Sequence, residues 1–221
     1  MPTSVTYTSL ISDMQNFLER GGSQTTDPTV YNQLPRLINA AERDCAQLLK
    51  LLGQIEVFTA VPPNGFQAGN PVVTKPDRWR ATISINYGTG SLNNTRTFLL
   101  PRSYEYITTY WPDRTQTAPP EFYADYEYSH WLIGPTPDQA YPFEALCYMQ
   151  PPLLDSGNQT NFWTNYTPNL LLWTALLQAE PFLKNDPRIP VWQGNQQVQL
   201  ASLNGQDLQR ILDRAAERRA P

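Results

Sequence analysis

The stretch NYTPNLLLWTALLQAEPFL, residues 165–183, reads as the helix at the centre of the fold. Thr167 is placed to cap it, and Pro168 suits its first position, where a missing N–H costs nothing. Leu170, Leu171, Leu172, Trp173, Ala175, Leu176 and Leu177 leave almost no polar side. A helix that is apolar all round has to be covered all round. Pro181 is expected to kink or divide it. The apolar run from Leu170 to Leu177 is broken by Thr174 and is far shorter than the ~20 residues of a membrane span. The chain therefore reads as soluble and not as membrane-bound.

The covering helices lie at both ends of the sequence. Ser9–Arg20 carries Leu10, Ile11, Met14, Phe17 and Leu18 on one side, with Gly21-Gly22 as the stop. Asp27-Pro28 is a second helix start. A longer helix is expected from Pro35 to Leu52, closed by Gly53. Leu34, Leu37, Ile38, Ala41, Cys45 and Leu48 recur along it at three and four residues. Arg36, Arg43 and Lys50 stand seven apart on its other side, a solvated face shared with Glu42 and Asp44 or a basic stripe. After residue 183, Asp186-Pro187 starts a further helix to about Leu203. Asn204-Gly205 is a candidate break, and an amphipathic tail continues to Arg219.

Between these ends the period changes to two. Strands are expected at Ile55–Val61, Trp79–Tyr87, Arg96–Leu100, Phe122–Tyr128, His130–Ile133 and Phe143–Gln150, separated by proline- and glycine-bearing turns. Trp79, Ala81, Ile83, Ile85 and Tyr87 should share one buried face. A short helix is expected within Arg102–Tyr110. The fold class is α+β: a helical bundle built from the N- and C-terminal segments, residues 1–53 and 153–221, with an antiparallel β domain inserted at 54–152.

Composition limits the chemistry. The 221 residues include one histidine, His130, and two cysteines, Cys45 and Cys147. That is too few for a Cys/His zinc site or a disulfide framework, and no metal or cofactor is expected. No secretory leader is legible, which suits a reducing interior. No phosphate-binding glycine loop and no G-x-S-x-G is present. Ser129 and His130 are neighbours in sequence; if the strand runs through both, they point to opposite faces and cannot act as a pair. Twelve Tyr, 8 Phe and 6 Trp speak against disorder.

The net charge of −4 is uneven. Residues 115–183 hold seven carboxylates and no Lys or Arg. Such a stretch is a poor DNA binder, because non-specific binding rests on cations that neutralise phosphates. It suits a surface that lets DNA slide past, or one that meets a basic partner. Glu121, Asp125, Glu127, Asp138 and Glu144 are the candidate acidic surface. Glu121, Asp125 and Glu127 are expected to alternate on one strand face with Tyr123. At the far end, Leu208, Arg210, Ile211, Leu212, Arg214, Arg218 and Arg219 form a basic amphipathic tail, which reads as a contact for nucleic acid, as a helix docking on an acidic protein surface, or as a frayed, solvated end.

Three segments carry a resemblance. One is Leu37-Ile-Asn-Ala-Ala-Glu42-Arg43. The second is the central run Pro120-Glu-Phe-Tyr123, Trp131-Leu-Ile-Gly-Pro135-Thr-Pro137-Asp138, Tyr141 and Leu146-Cys-Tyr148. The third is Asn161-Phe-Trp163 with Pro168–Ala175 and Ala179. In order and spacing, over about residues 34–203, the chain resembles tailed-bacteriophage head-to-tail adaptor proteins. The resemblance implies a structural virion protein of the neck, assembled in the host cytoplasm. It implies a dodecameric ring of identical subunits between the portal protein and the tail nozzle or neck protein. DNA would pass through the bore without sequence-specific binding, and the C-terminal tail would dock on the portal. Three other readings compete. One is another neck or tail-completion protein. The second is a carbohydrate-binding module stacking sugars on Tyr123, Tyr126, Tyr128 and Trp131. The third is a glycoside hydrolase using carboxylates of residues 121–144, for which the sequence places no second catalytic carboxylate.

Overall fold

A computed structural model of the chain describes residues 5–23, 25–49, 51–88, 96–183 and 186–217, the side chains of Leu52 and of residues beyond 206 excepted. The fold is mixed α+β, with a sheet that is antiparallel save for one pair. The chain divides into two compact units. One holds the chain up to Gln54 and from Gln150 onward; the other is Ile55–Met149.

In the first unit, α1 spans Tyr7–Leu18, α2 Pro28–Tyr31 and α3 Leu34–Leu48. Helix α1 begins two residues before the expected Ser9, because Thr6 and Ser9 cap each other: each hydroxyl accepts the other's backbone N–H. It ends at Leu18, where Glu19 takes up the left-handed conformation at φ 53°. Asp27 caps α2 as expected, accepting from Val30 N, with Pro28 at the first position. Helix α3 stops at Leu48, short of the expected Leu52, and Leu49 is extended. Gly53 serves another purpose there. A Cβ on it would lie 1.9 Å from the Phe162 ring, so the glycine admits that ring.

The second unit holds β1 Ile55–Ala60, β2 Val72–Thr74, β3 Trp79–Gly88, β4 Arg96–Pro101, α4 Tyr104–Tyr110, β5 Thr117–Ala118, β6 Phe122–Asp125, β7 His130–Gly134, β8 Thr136–Pro137 and β9 Phe143–Met149. Seven strands form one sheet in the order β1-β9-β3-β4-β6-β7-β2, and β5 pairs with β8 alone. The single parallel contact within the large sheet, β4 with β6, needs a crossover, and α4 supplies it. Ile107 of α4 packs with Ala124 and Leu132. The main core of this unit lies on the other side, around Phe66, Trp131 and Phe143.

Strand β3 departs from its expected alternation. Its register against β9 shifts between Trp79 and Ala81 and again between Thr82 and Ser84. Each bulge reverses the facing of the residues after it. Ile83 is left 39% exposed, while Ile85, Asn86 and Tyr87 are all buried. Strand β6 is also shorter than expected: it ends at Asp125, and residues 127–129 bend toward β7. The expected strand to Tyr128 is thus cut.

Back in the first unit, α5 spans Phe162–Tyr166, α6 Pro168–Gln178 and α7 Ile189–Glu217. Leu170, Leu171, Ala175 and Leu176 of α6 are fully buried among residues of α1, α3 and α7, as an all-apolar helix requires. Pro181 does divide the segment, since α6 ends at Gln178 and Glu180–Phe182 forms a 3-10 turn. Thr174 is the one polar side chain in the middle of α6. It donates to Leu170 O and accepts from Gln196 Nε2 and Cys45 Sγ, which ties α3, α6 and α7 at one hydroxyl. Thr167 makes no side-chain cap for α6; its hydroxyl donates back to Trp163 O. Helix α7 runs through Asn204-Gly205 without the expected break. Neither Gly194 nor Gly205 in α7 has a heavy atom within 4 Å of a Cβ built on it.

Candidate interaction surfaces

The cation-free stretch of sequence is not cation-free in space. Asp125 pairs with Lys75 at 2.7 Å, and Glu144 with Arg96 at 2.7 Å. Glu127 meets the ring of His130. Antiparallel pairing brings cations from β4 and from the segment after β2 onto the acidic strands. Asp138 accepts a hydrogen bond from the Tyr141 hydroxyl at 2.8 Å. Among the described residues, Glu121 and Asp138 make no ion pair and are exposed. The expectation that Glu121, Asp125 and Glu127 alternate on one strand face with Tyr123 fails. Glu121 precedes β6, Glu127 follows it in the bend, and Tyr123 is buried.

The sugar-stacking platform is likewise overturned. Tyr123 is 5% exposed and Trp131 0%, so neither ring can meet a ligand. Trp131 faces inward because β7 continues the core-facing register; its Nε1 donates to Thr82 Oγ1 at 2.9 Å. Tyr126 and Tyr128 remain exposed. Lys75 is folded beneath this bend. Its ammonium lies 3.6 Å from the Trp79 ring centroid and donates to Glu127 O.

Two surfaces escape the sequence reading. The first is the outer face of the sheet. Register places Val57 of β1 beside Leu146 of β9, and Asn86 of β3 beside Phe98 of β4. Val57, Phe98 and Leu100 are each more than half exposed. An alternation count finds them, since Phe98 and Leu100 sit out of phase with buried Leu99. The second surrounds α4. The Arg102 guanidinium lies over the Tyr106 ring at 5.3 Å, and that of Arg114 over Tyr126 at 5.6 Å. Tyr104 and Tyr110 are exposed beside them. Tyrosine and arginine are the residues that carry protein interfaces.

The α3 surface needs one correction. Glu42, expected on the solvated side with Asp44, is 1% exposed. Arg36 and Arg43 are exposed, and Lys50 lies outside the described residues. The docking candidates Arg218 and Arg219 lie outside the described residues. For Leu208, Arg210, Ile211, Leu212 and Arg214 only the helical backbone of α7 is described. Both cysteines are buried and free. Burial pushes the Cys45 thiol up to about 12 and that of Cys147 up to about 11, so neither is a nucleophile. Among the described residues no group of three His, Cys, Asp or Glu could hold a metal ion, and no helix is long and apolar enough to cross a membrane.

No curated protein matches the chain. A family model does, and it spans almost the whole sequence, including the exposed tyrosines, the acidic strands and the long last helix. The match to the SU10 adaptor protein model runs over residues 5–221, and the chain belongs to that family of phage head-to-tail adaptors.

Proposed function

We propose that the protein forms a closed ring of identical subunits in the virion neck, between the portal protein and the tail nozzle or neck protein, with DNA passing through its bore. The observation that carries this is the family match over residues 5–221. A phage adaptor family implies a structural virion role rather than catalysis. In this reading the two terminal segments, residues 1–53 and 153–221, act as one helical bundle that carries residues 54–152 as a β domain. The end of α7, from Leu208 to Arg219, docks on the portal. Part of the acidic surface of Glu121, Asp125, Glu127, Asp138 and Glu144 faces the bore.

Physical arguments support the reading. A cyclic ring needs two different faces on each subunit. The outer sheet face at Val57, Phe98 and Leu100 and the tyrosine-arginine surface around α4 offer two of unlike chemistry. Glu121 and Asp138 would repel phosphate, which suits passage without grip. The dodecamer implied by the resemblance is part of the proposal. Electron microscopy of the purified protein, alone and mixed with its portal, tests it. Rings on the portal are expected. A protein that stays monomeric and unattached with the portal present would overturn the reading.

A further inference from the structure

Helices α1, α3 and α7 all pack on α6. Each turns another face outward, and the three outward faces differ in charge. Helix α3 exposes Arg36 and Arg43, as a solvated helix should. Helix α7 carries no Asp, Glu, Lys, Arg or His from Ile189 to Gln206. Its Trp192, Leu200 and Leu203 belong to the helical core. Opposite them, at spacings of three and four, stand Val191, Gly194, Val198, Ala201 and Gly205, all exposed. Val191 is 61% exposed and Val198 67%. The outward row of α1 is Thr8, Ser12 and Asn16, which are exposed and uncharged as well. Asp13, the one charged residue within Tyr7–Leu18, is half-buried to the side of that row.

Contact with water does not call for such faces. A helix that borders solvent carries charge on its outward side, and charge is what the core of a protein interface lacks. Two exposed valines on a face without one ionisable group fit the second environment. The glycines agree. Glycine weakens a helix interior, and a Cβ on Gly194 or Gly205 would meet no heavy atom within 4 Å. Packing among the described residues does not require them, and they leave room for a second backbone to come close. Nucleic acid is a poor occupant, because the face offers no cation to a phosphate.

We infer that the outward face of α7, from Val191 to Gly205, packs on the outward face of α1, from Thr8 to Asn16, of a second copy of the chain. The inference rests on the ring reading above and names one of its contacts. A ring joins copies through two different faces that fit each other. The helical unit supplies two uncharged faces on two different helices, and it leaves the arginine-bearing side of α3 to water. The fit is one of shape. Val191 and Val198 make a ridge, and the short side chains of Thr8 and Ser12, one turn apart, leave a groove for it.

The test uses introduced thiols in the full-length protein. Ser12→Cys and Val198→Cys each place one on a proposed face, and Arg36→Cys places one on α3. Cys45 and Cys147 are buried and free, so they stay silent toward a maleimide. All three introduced thiols should label before assembly. In rings, alone or on the portal, labelling at 12 and 198 should fall tenfold or more, while labelling at 36 holds. A short bis-maleimide added to rings of an equimolar mixture of Ser12→Cys and Val198→Cys should join the two variants to each other. Rings whose thiols at 12 and 198 stay reactive would overturn this contact and leave the ring reading standing, and so would an equal loss of labelling at 36. Protection at 198 without the cross-link to 12 would give the α7 face to the portal or to another partner, and would overturn it too. A wild type that forms no ring even with the portal would overturn both readings.

Discussion

The ammonium of Lys75 sits 3.6 Å from the centroid of the Trp79 ring, and its side chain is 1% exposed. A lysine is rarely buried so far unless every donor is used. Here Glu127 O accepts a hydrogen bond, Asp125 pairs with the charge at 2.7 Å, and the indole face lies against the ammonium. The bend at residues 127–129 is thereby anchored from below. Lys75→Met keeps the volume and removes the charge. Because Asp125 is largely exposed and can rehydrate, the expected loss is about 1–3 kcal/mol, less than for a fully buried pair. Chemical denaturation gives the number. Neutral stability in Lys75→Met would show that the cation contributes nothing to holding the bend.

Gly134 ends β7 beneath α4. A Cβ there would lie 2.8 Å from Ile107 Cγ2. Gly134→Ala should cost about 1–3 kcal/mol through overpacking. Ile107→Ala alone should also destabilise, by opening a cavity. Together they should cost less than the sum, since the shorter side chain makes room for the new methyl. Thermal melts of the four proteins in the cycle test this; strict additivity would contradict the close approach.

The thiols of Cys45 and Cys147 should resist a thiol reagent at pH 8 in the folded protein and react at once in denaturant. Their folded values, about 12 and about 11, lie above the ordinary 9.0, so folding favours the neutral thiols. That contribution is complete below pH 9 and shrinks as pH climbs toward 11. Stability should therefore decline above pH 9 more steeply than in a Cys45→Ala variant. A labelling time course with and without denaturant checks the first part, and melts at pH 8 and pH 10 check the second.

Removing residues 205–221 should leave the fold intact and weaken attachment to the portal. The core residues of α7, Trp192 and Leu200, precede the cut. Far-UV circular dichroism should change only by the lost helix, while co-purification with the portal should fall. Undiminished attachment of the shortened chain would refute the docking role of Leu208–Arg219.

Much of this architecture is readable in the residues, and the failures have physical causes. The α6 segment is legible because its apolar residues, on every side, admit one solution, a covered helix. Asp27-Pro28 is legible because a cap is a local event. Strand β3 misleads because a bulge is set by pairing with β9, and alternation within one strand cannot show it. Periodicity puts Glu42 in solvent; its burial depends on Asn161, more than a hundred residues away. The acidic stretch looks bare for the same reason, since Lys75 and Arg96 reach it only through sheet pairing. Tyr123 and Trp131 read as a platform because aromatic composition is the same for a binding face and a core.

The order β1-β9-β3 has a consequence during synthesis. Ile55–Ala60 leaves the ribosome early, yet among the described residues its sole neighbour in the sheet is Phe143–Met149. At about 5–20 residues per second, the nascent strand waits several seconds for it. Helices α1 and α3 wait longer still, until the segment containing Leu170 and Ala175 emerges. Most of the polypeptide is thus translated before either unit can close, and its apolar faces are open to chaperones, or to neighbouring nascent chains, for that whole interval.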